Sequence, residues 1–258
     1  MKDNCRLSVV FRRLCLKKVF LCFSSKDRFT VVNSVLYHLK RYGVPVWYDY
    51  HELTLGDNRI DGNFNNGLNM CNYAVVIISP NMYDCSCGND ELDVIHKRYI
   101  EHNIHVFPLF YNVKATELPE KYFWLTNLIY NEINDVSGSL ASCRQIVYKI
   151  VSDMTTNHSK TSIKEYLSIE DNYIRKMLNV YNHIDDSNHN AKFSILYALY
   201  LYMKSIGVTV DKMCKDTAEI IFKETDLNIP YPHKELLIME KIVTIMLDFD
   251  ILNNHHKC

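Results

Sequence analysis

The chain has 258 residues, 48% of them hydrophobic and 23% charged, with a net charge of -1. That is apolar material enough for one large domain or two small ones, and the near-neutral balance lacks the concentrated basic face that a nucleic acid or an anionic membrane surface calls for. Nine cysteines, an odd count without a regular frame, point to reduced thiols in a cytoplasmic protein, and no apolar run reaches the roughly 18 residues that span a bilayer.

Residues 1–18 alternate only weakly. Leu7 to Phe11 fits an extra strand or a short helix, and Arg12, Arg13, Lys17 and Lys18 read as a solvated edge. With charges mixed into it, this stretch has no clean apolar region of a secretory leader. Val19 to Phe23 is a continuous apolar run, the pattern of a strand buried on both faces. Ser24-Ser25-Lys26-Asp27 closes it with turn and helix-capping residues. Between Phe29 and Tyr42, Val32, Val35, Leu36 and Leu39 recur at helical spacing, and Gly43 supplies the stop. A second strand runs from Val44 to Tyr48, and Asp49 to Asp61, with Gly56 and Asn58, reads as an exposed loop. Phe64, Leu68 and Met70 suggest a short helix before the third strand, Ala74 to Ile78. Ser79-Pro80-Asn81 ends that strand. Asn89, Asp90 and Glu91 then open a helix carrying Leu92, Val94 and Ile95, with acids where the helix dipole favours them. His105 to Tyr111 is a fourth strand; Pro108 within it marks a lost ladder bond or an edge. Residues 112–136 look irregular, with 125–133 partly helical, and Ile146, Val147, Ile150 and Val151 form the face of a closing helix.

Strand and helix thus alternate through residues 1–154, with a core at 17–154. This predicts an α/β fold, a flavodoxin-like parallel sheet with helices on both faces. The polar stretch 155–162 reads as a linker. Residues 163–258 form a small all-α domain, with helices at 163–181, 191–205, 211–225 and 234–252 separated by breaks that include Gly207, Pro230 and Pro232. Phe193 to Met203 is apolar nearly all round and reads as its buried helix.

Glu91 stands just beyond the carboxyl end of a buried strand, where open α/β sheets bind ligands. Its neighbour Asp90 points about 100° away around a helix. Neither GxGxxG nor GxxxxGK occurs, so no glycine loop cradles phosphate. Cys85-x-Cys87 lacks zinc-site spacing; with only a terminal His255, His256 and Cys258 besides, no metal is expected. Tyr197, Tyr200 and Tyr202 do not keep one helical face and read as packing.

Several segments, in order, resemble the TIR domain family. VFLCFSSKD (Val19–Asp27) resembles its first strand and turn. In GVPVWYDYHELTLGD, Trp47, Asp49, Glu52, Leu53, Gly56 and Asp57 resemble the second strand and its loop. Val75 to Leu92 resembles the segment with Ser79, Pro80, Tyr83, Ser86, Glu91 and Leu92, and VFPLFYN (Val106–Asn112) the fourth strand. The family usually has Trp-Cys before the helix that carries the glutamate. Here Ser86-Cys87-Gly88-Asn89-Asp90-Glu91 has no Trp, so an aromatic floor must come from Phe23, Trp47 or Tyr83.

The resemblance implies cleavage of NAD+ at the nicotinamide–ribose bond, by hydrolysis or cyclisation, with Glu91 as the catalytic residue. It assigns contacts with NAD+ to Phe23, Ser24, Ser25, Asp27, Trp47, Asp49, Leu53, Gly56, Ser79 and Tyr83. The chemistry is compatible with a single acid: nicotinamide leaves from a cationic glycoside without a general acid, and one carboxylate can stabilise an oxocarbenium-like transition state. NAD+ is then substrate, with no further cofactor. The resemblance also implies a homo-oligomer formed through TIR domains, with help from the C-terminal helices, acting as a signalling or bacterial antiphage effector. Two other readings stand beside it: a non-enzymatic adaptor working by TIR–TIR association, and an enzyme acting on nucleic acid or cyclic nucleotides.

Overall fold

The four continuous apolar runs become four parallel strands. A computed structural model describes residues 18–155, 162–224 and 233–254. The segments Leu7 to Phe11 and 156–161, the cations Arg12, Arg13 and Lys17, the prolines Pro230 and Pro232, and the terminal His255, His256 and Cys258 lie outside the described residues. The first unit is built from β1 (Val19–Cys22), α1 (Asn33–Arg41), β2 (Val46–Trp47), β3 (Tyr73–Ile78), α2 (Ser86–Ile100), β4 (His105–Tyr111), β5 (Asn131–Ile133) and the first turns of α3 (Leu140–Thr155). The strands order β2-β1-β3-β4-β5, all parallel. This is the expected flavodoxin-like α/β sheet.

Alternate residues along the strands bury opposite faces. Phe20, Cys22, Ala74, Val76, Ile78, Val106 and Phe110 share one core with Leu92 and Ile95 of α2. Their odd-numbered neighbours Val19, Leu21, Val75, Ile77 and Leu109 are equally buried on the other face. There α1 and α3 are tied together by Ser34 with Ser139 at 2.8 Å and by Arg144 Nε donating to the Tyr42 hydroxyl at 3.2 Å.

Three local expectations are corrected. Residues 112–136 include a fifth strand, whose three residues carry no apolar pattern and exist as a strand only by pairing with Leu109–Tyr111. Because β4 pairs on both sides, Pro108 is not on an edge strand; β5 joins only from Leu109, so the proline precedes that pairing. Helix α2 begins at Ser86, with Cys85 as its cap, rather than at Asn89. Glu91 therefore lies in the second turn, beyond the end where a helix dipole relieves an acid.

The chain divides into two compact units, 1–146 and 147–258, and the division falls inside α3. The second unit holds α4 (Asn172–His183), α5 (His189–Ser205), α6 (Lys212–Glu224) and α7 (His233–Asn254). Phe193, Leu196, Leu199, Tyr200 and Met203 of α5 are buried, but Tyr197 and Leu201 are 42% and 44% exposed, so this helix is not enclosed all round. Tyrosine hydroxyls reach acids within the unit: Tyr166 donates to Asp248, Tyr181 to Glu240, and Tyr202 to Asp171 at 2.8 Å.

Candidate active site

The start of α2 determines where Glu91 goes. At Gly88 a Cβ would meet Met82 Sδ at 2.7 Å and the Phe23 carbonyl oxygen at 3.2 Å, so glycine lets this turn settle on the end of β1. Cys85 Sγ accepts from the Gly88 N–H at 3.4 Å, and Cys22 Sγ donates to the Gly88 carbonyl at 3.5 Å. One turn later Glu91 faces a pocket of about 90 Å³ at the carboxyl ends of the strands, beside β1 and β2. Phe20, Leu21, Phe23, Ser25, Arg28, Trp47, Asp49, Arg59, Asn63, Cys85, Cys87 and Glu91 line it.

Glu91 is 6% exposed. Its Oε1 accepts from Asn63 Nδ2 at 2.9 Å and from Cys87 Sγ at 3.8 Å. Burial first, then the charge of Asp49, pushes the carboxyl up to about 8, against the opposing pull of Arg59 and the two hydrogen bonds. Burial, and then Glu91 itself, likewise raises the Cys87 thiol to about 11. Asp49 is gripped by Arg28 through two parallel bonds of 2.9 and 2.8 Å, the strong forked geometry of guanidinium and carboxylate. That guanidinium lies 5.2 Å from the Phe23 and Tyr48 ring centres and 5.1 Å from Tyr50. The hydrogen bond to Asp49 raises the Arg28 pKa further, so the cation is permanent.

Of the residues expected to contact a ligand, Phe23, Ser25, Trp47 and Asp49 join Glu91 around the pocket. Phe23 and Trp47 form its aromatic wall. Trp47 can sit there because position 67 is glycine: a Cβ would lie 2.5 Å from the indole Nε1. Ser24, Asp27 and Ser79 are buried and are not among the lining residues. Asp27 makes no capping bond; instead it accepts from Ser79 Oγ at 2.5 Å and Asn81 Nδ2 at 2.7 Å. This knot ties the turn after β1 to the turn after β3. Leu53 is half-buried against the core, and Gly56 is an exposed turn residue at φ 99°. Tyr83 stacks on Tyr122, with ring centres 5.7 Å apart, outside the lining.

Three polar lining residues had no sequence signal strong enough to single them out. Arg28 adjoins the matched Asp27 but reads as an ordinary helix-start residue. Arg59 stands in the exposed loop. Asn63 belongs to the polar run Gly62–Gly67, where nothing local separates it from Asn65 or Asn66. Cys87 was findable, since it precedes Glu91 by four residues and so shares its helix face. Among the described residues no group of three His, Cys, Asp or Glu side chains could hold a metal ion, and no helix is long and apolar enough to cross a membrane.

Comparison with known proteins agrees with this fold. The sequence profile of the TIR domain family matches residues 19–146. NAD(+) hydrolase TcpC of Escherichia coli O6:H1 is 30% identical over 109 residues, 42% of this chain and 35% of that protein. NAD(+) hydrolase TcpA of a Theionarchaea archaeon is 28% identical over 39% of this chain and 30% of its own length. The 2' cyclic ADP-D-ribose synthase BtTIR of Bacteroides thetaiotaomicron is 28% identical over 38% of this chain and 34% of its own. The chain thus spans about a third of the length of each of these relatives. With the strand order, the four motifs and the profile in register, residues 19–146 belong to the TIR domain family.

Proposed function

We propose that the TIR domain cleaves NAD+ at the nicotinamide–ribose bond, with Glu91 as the catalytic residue. The observation that carries this reading is a buried glutamate, held by Asn63, beside an aromatic-walled pocket at the carboxyl ends of the strands. Phe23 and Trp47 offer flat apolar surface to the nicotinamide ring. As the glycosidic bond lengthens, positive charge moves from the ring to the ribose, and the Glu91 carboxylate stabilises it there. Burial strengthens that interaction, because little water screens it. With its carboxyl up at about 8, the free acid is largely protonated at neutral pH. A cationic nicotinamide nearby favours the carboxylate, so substrate itself brings out the working form. Water reaching C1′ completes hydrolysis; a substrate nucleophile in its place completes cyclisation. The names of the relatives include both outcomes.

NAD+ is substrate in this scheme rather than a resident cofactor. The exposed side chains Tyr50, Leu55 and Ile60 on the loop beside the pocket support association between TIR domains. The described cysteines are all free thiols, which supports action in the cytoplasm, where an NAD+-depleting effector in defence would work.

The test is nicotinamide release from NAD+ by concentrated full-length protein, with and without a crowding agent. Wild type releases nicotinamide, and Glu91→Gln is slower by about 100-fold or more. Equal release by Glu91→Gln, or none from wild type in any assembly state, overturns the reading. Association without release would instead favour the adaptor, which the absent Trp ahead of Glu91 and the apolar loop support.

A further inference from the structure

Asn63 carries an unanswered hydrogen-bonding atom at the centre of the site. Its side chain is 3% exposed and lines the pocket. Against the Glu91 carboxylate, the working form, which offers only acceptors, Nδ2 donating to Oε1 at 2.9 Å sets the amide orientation. Oδ1 is left buried with no partner among the described residues. A buried acceptor without a donor is costly, and a native fold retains one where something else supplies the donor.

We propose that Asn63 Oδ1 accepts a hydrogen bond from a hydroxyl of the nicotinamide-bearing ribose, making Asn63 the residue that reads the sugar while it aims Glu91. This rests on the NAD+-cleavage reading. The ribose is favoured over the other donor at that end of NAD+, the nicotinamide carboxamide, by position. The donor to Oδ1 must lie beside the carboxyl that serves C1′, and the ribose carries its 2′-hydroxyl on the neighbouring carbon and its 3′-hydroxyl on the next. The nicotinamide carboxamide sits on a ring carbon meta to the nitrogen of the scissile bond, farther from C1′ than the 2′-hydroxyl. One planar amide then couples two tasks: its N–H holds the carboxyl and its oxygen holds the sugar. Asn63 reaches this place through the wide turn Gly62–Gly67, on an element separate from the helix of Glu91. A shift of that turn therefore changes sugar binding and glutamate orientation together.

The test compares wild type, Asn63→Leu and the smaller Asn63→Ser, each checked by thermal melting. The substrates are NAD+ and analogues lacking the 2′- or the 3′-hydroxyl on the nicotinamide ribose. Asn63→Leu lowers kcat/KM for NAD+ by about 10- to 100-fold. For the analogue without the paired hydroxyl, the loss is smaller by about fivefold or more, leaving only the share that comes from holding Glu91. Asn63→Ser shows the same selectivity, which keeps the test open if the leucine variant does not fold. Equal losses on all three substrates place Asn63 in glutamate positioning alone and overturn the proposal, as does no loss on NAD+. Calorimetric titration with ADP-ribose, which retains these ribose hydroxyls, separates this result from failure of the cleavage reading. Should wild type release no nicotinamide, binding weakened about tenfold or more in Asn63→Leu still sustains the sugar contact. Equal ADP-ribose affinity, or no binding by wild type, overturns it.

Discussion

Glu91 shows how one side chain would link burial, catalysis and stability. With its carboxyl pushed up to about 8 and the carboxylate as working form, kcat/KM for NAD+ rises with pH through a limb near 8. Asp49 is the largest charge cause of that shift, after burial. Asp49→Asn removes the negative neighbour and releases the Arg28 cation; both effects favour ionised Glu91, so the limb moves to lower pH. A pH–rate profile of the two proteins checks this, and an unmoved limb rejects the role given to Asp49. Stability follows with a defined sign. The folded carboxyl titrates above its ordinary 4.5, so folding takes up a proton between that value and about 8, and stability falls as pH rises through this window. Glu91→Gln removes the burden and gains on the order of 4 kcal/mol over wild type at the top of the window, and little at its foot. Thermal melts of both proteins at the two ends of the window measure the difference. The residue that would give activity is thus one the fold would be more stable without.

Among the elements, the turn that follows β2 matters as much as the strand. Gly67 lies against a rigid indole, 2.5 Å from Nε1 and 2.7 Å from Cε2 by the position of an added Cβ. Gly67→Ala cannot be absorbed by a flexible side-chain end, so it moves Trp47 and costs about 1–3 kcal/mol. Denaturant unfolding measures the cost. Because the chain has two tryptophans, fluorescence in a Trp124→Phe background reports the displacement of Trp47 itself. An unchanged spectrum would mean that the pocket wall tolerates the methyl group. Helix α2 carries the same lesson in its first turn, where Gly88 and the Cys85 cap bring the start of the helix onto the end of β1.

At the scale of the molecule, the pocket opens beside a loop whose Leu55 and Ile60 point into solvent, at 106% and 65% exposure. If this loop joins TIR domains, Leu55→Asp and Ile60→Asp reduce the assembled fraction in sizing experiments and remove the concentration dependence of nicotinamide release. Stability changes by less than about 0.5 kcal/mol, since neither side chain is buried. Retained assembly in both variants would remove this loop from the interface.

Four strands and the ligand end of the sheet were legible in the sequence because strands buried on both faces of a parallel sheet read as continuous apolar runs, and turn residues mark their carboxyl ends. Glu91 was legible by its place just beyond the third strand and inside the segment that resembles the TIR family. The fifth strand was not, because Asn131–Ile133 becomes a strand only through pairing with β4. Nor was the working interior of the site. The Arg28–Asp49 pair, the Asp27–Ser79 knot and the Asn63–Glu91 bond join residues 21, 52 and 28 positions apart. Local composition records which residues can make such bonds. Which of them do, and which acceptor is left for a ligand, was decided only when the tertiary structure brought the strand ends together.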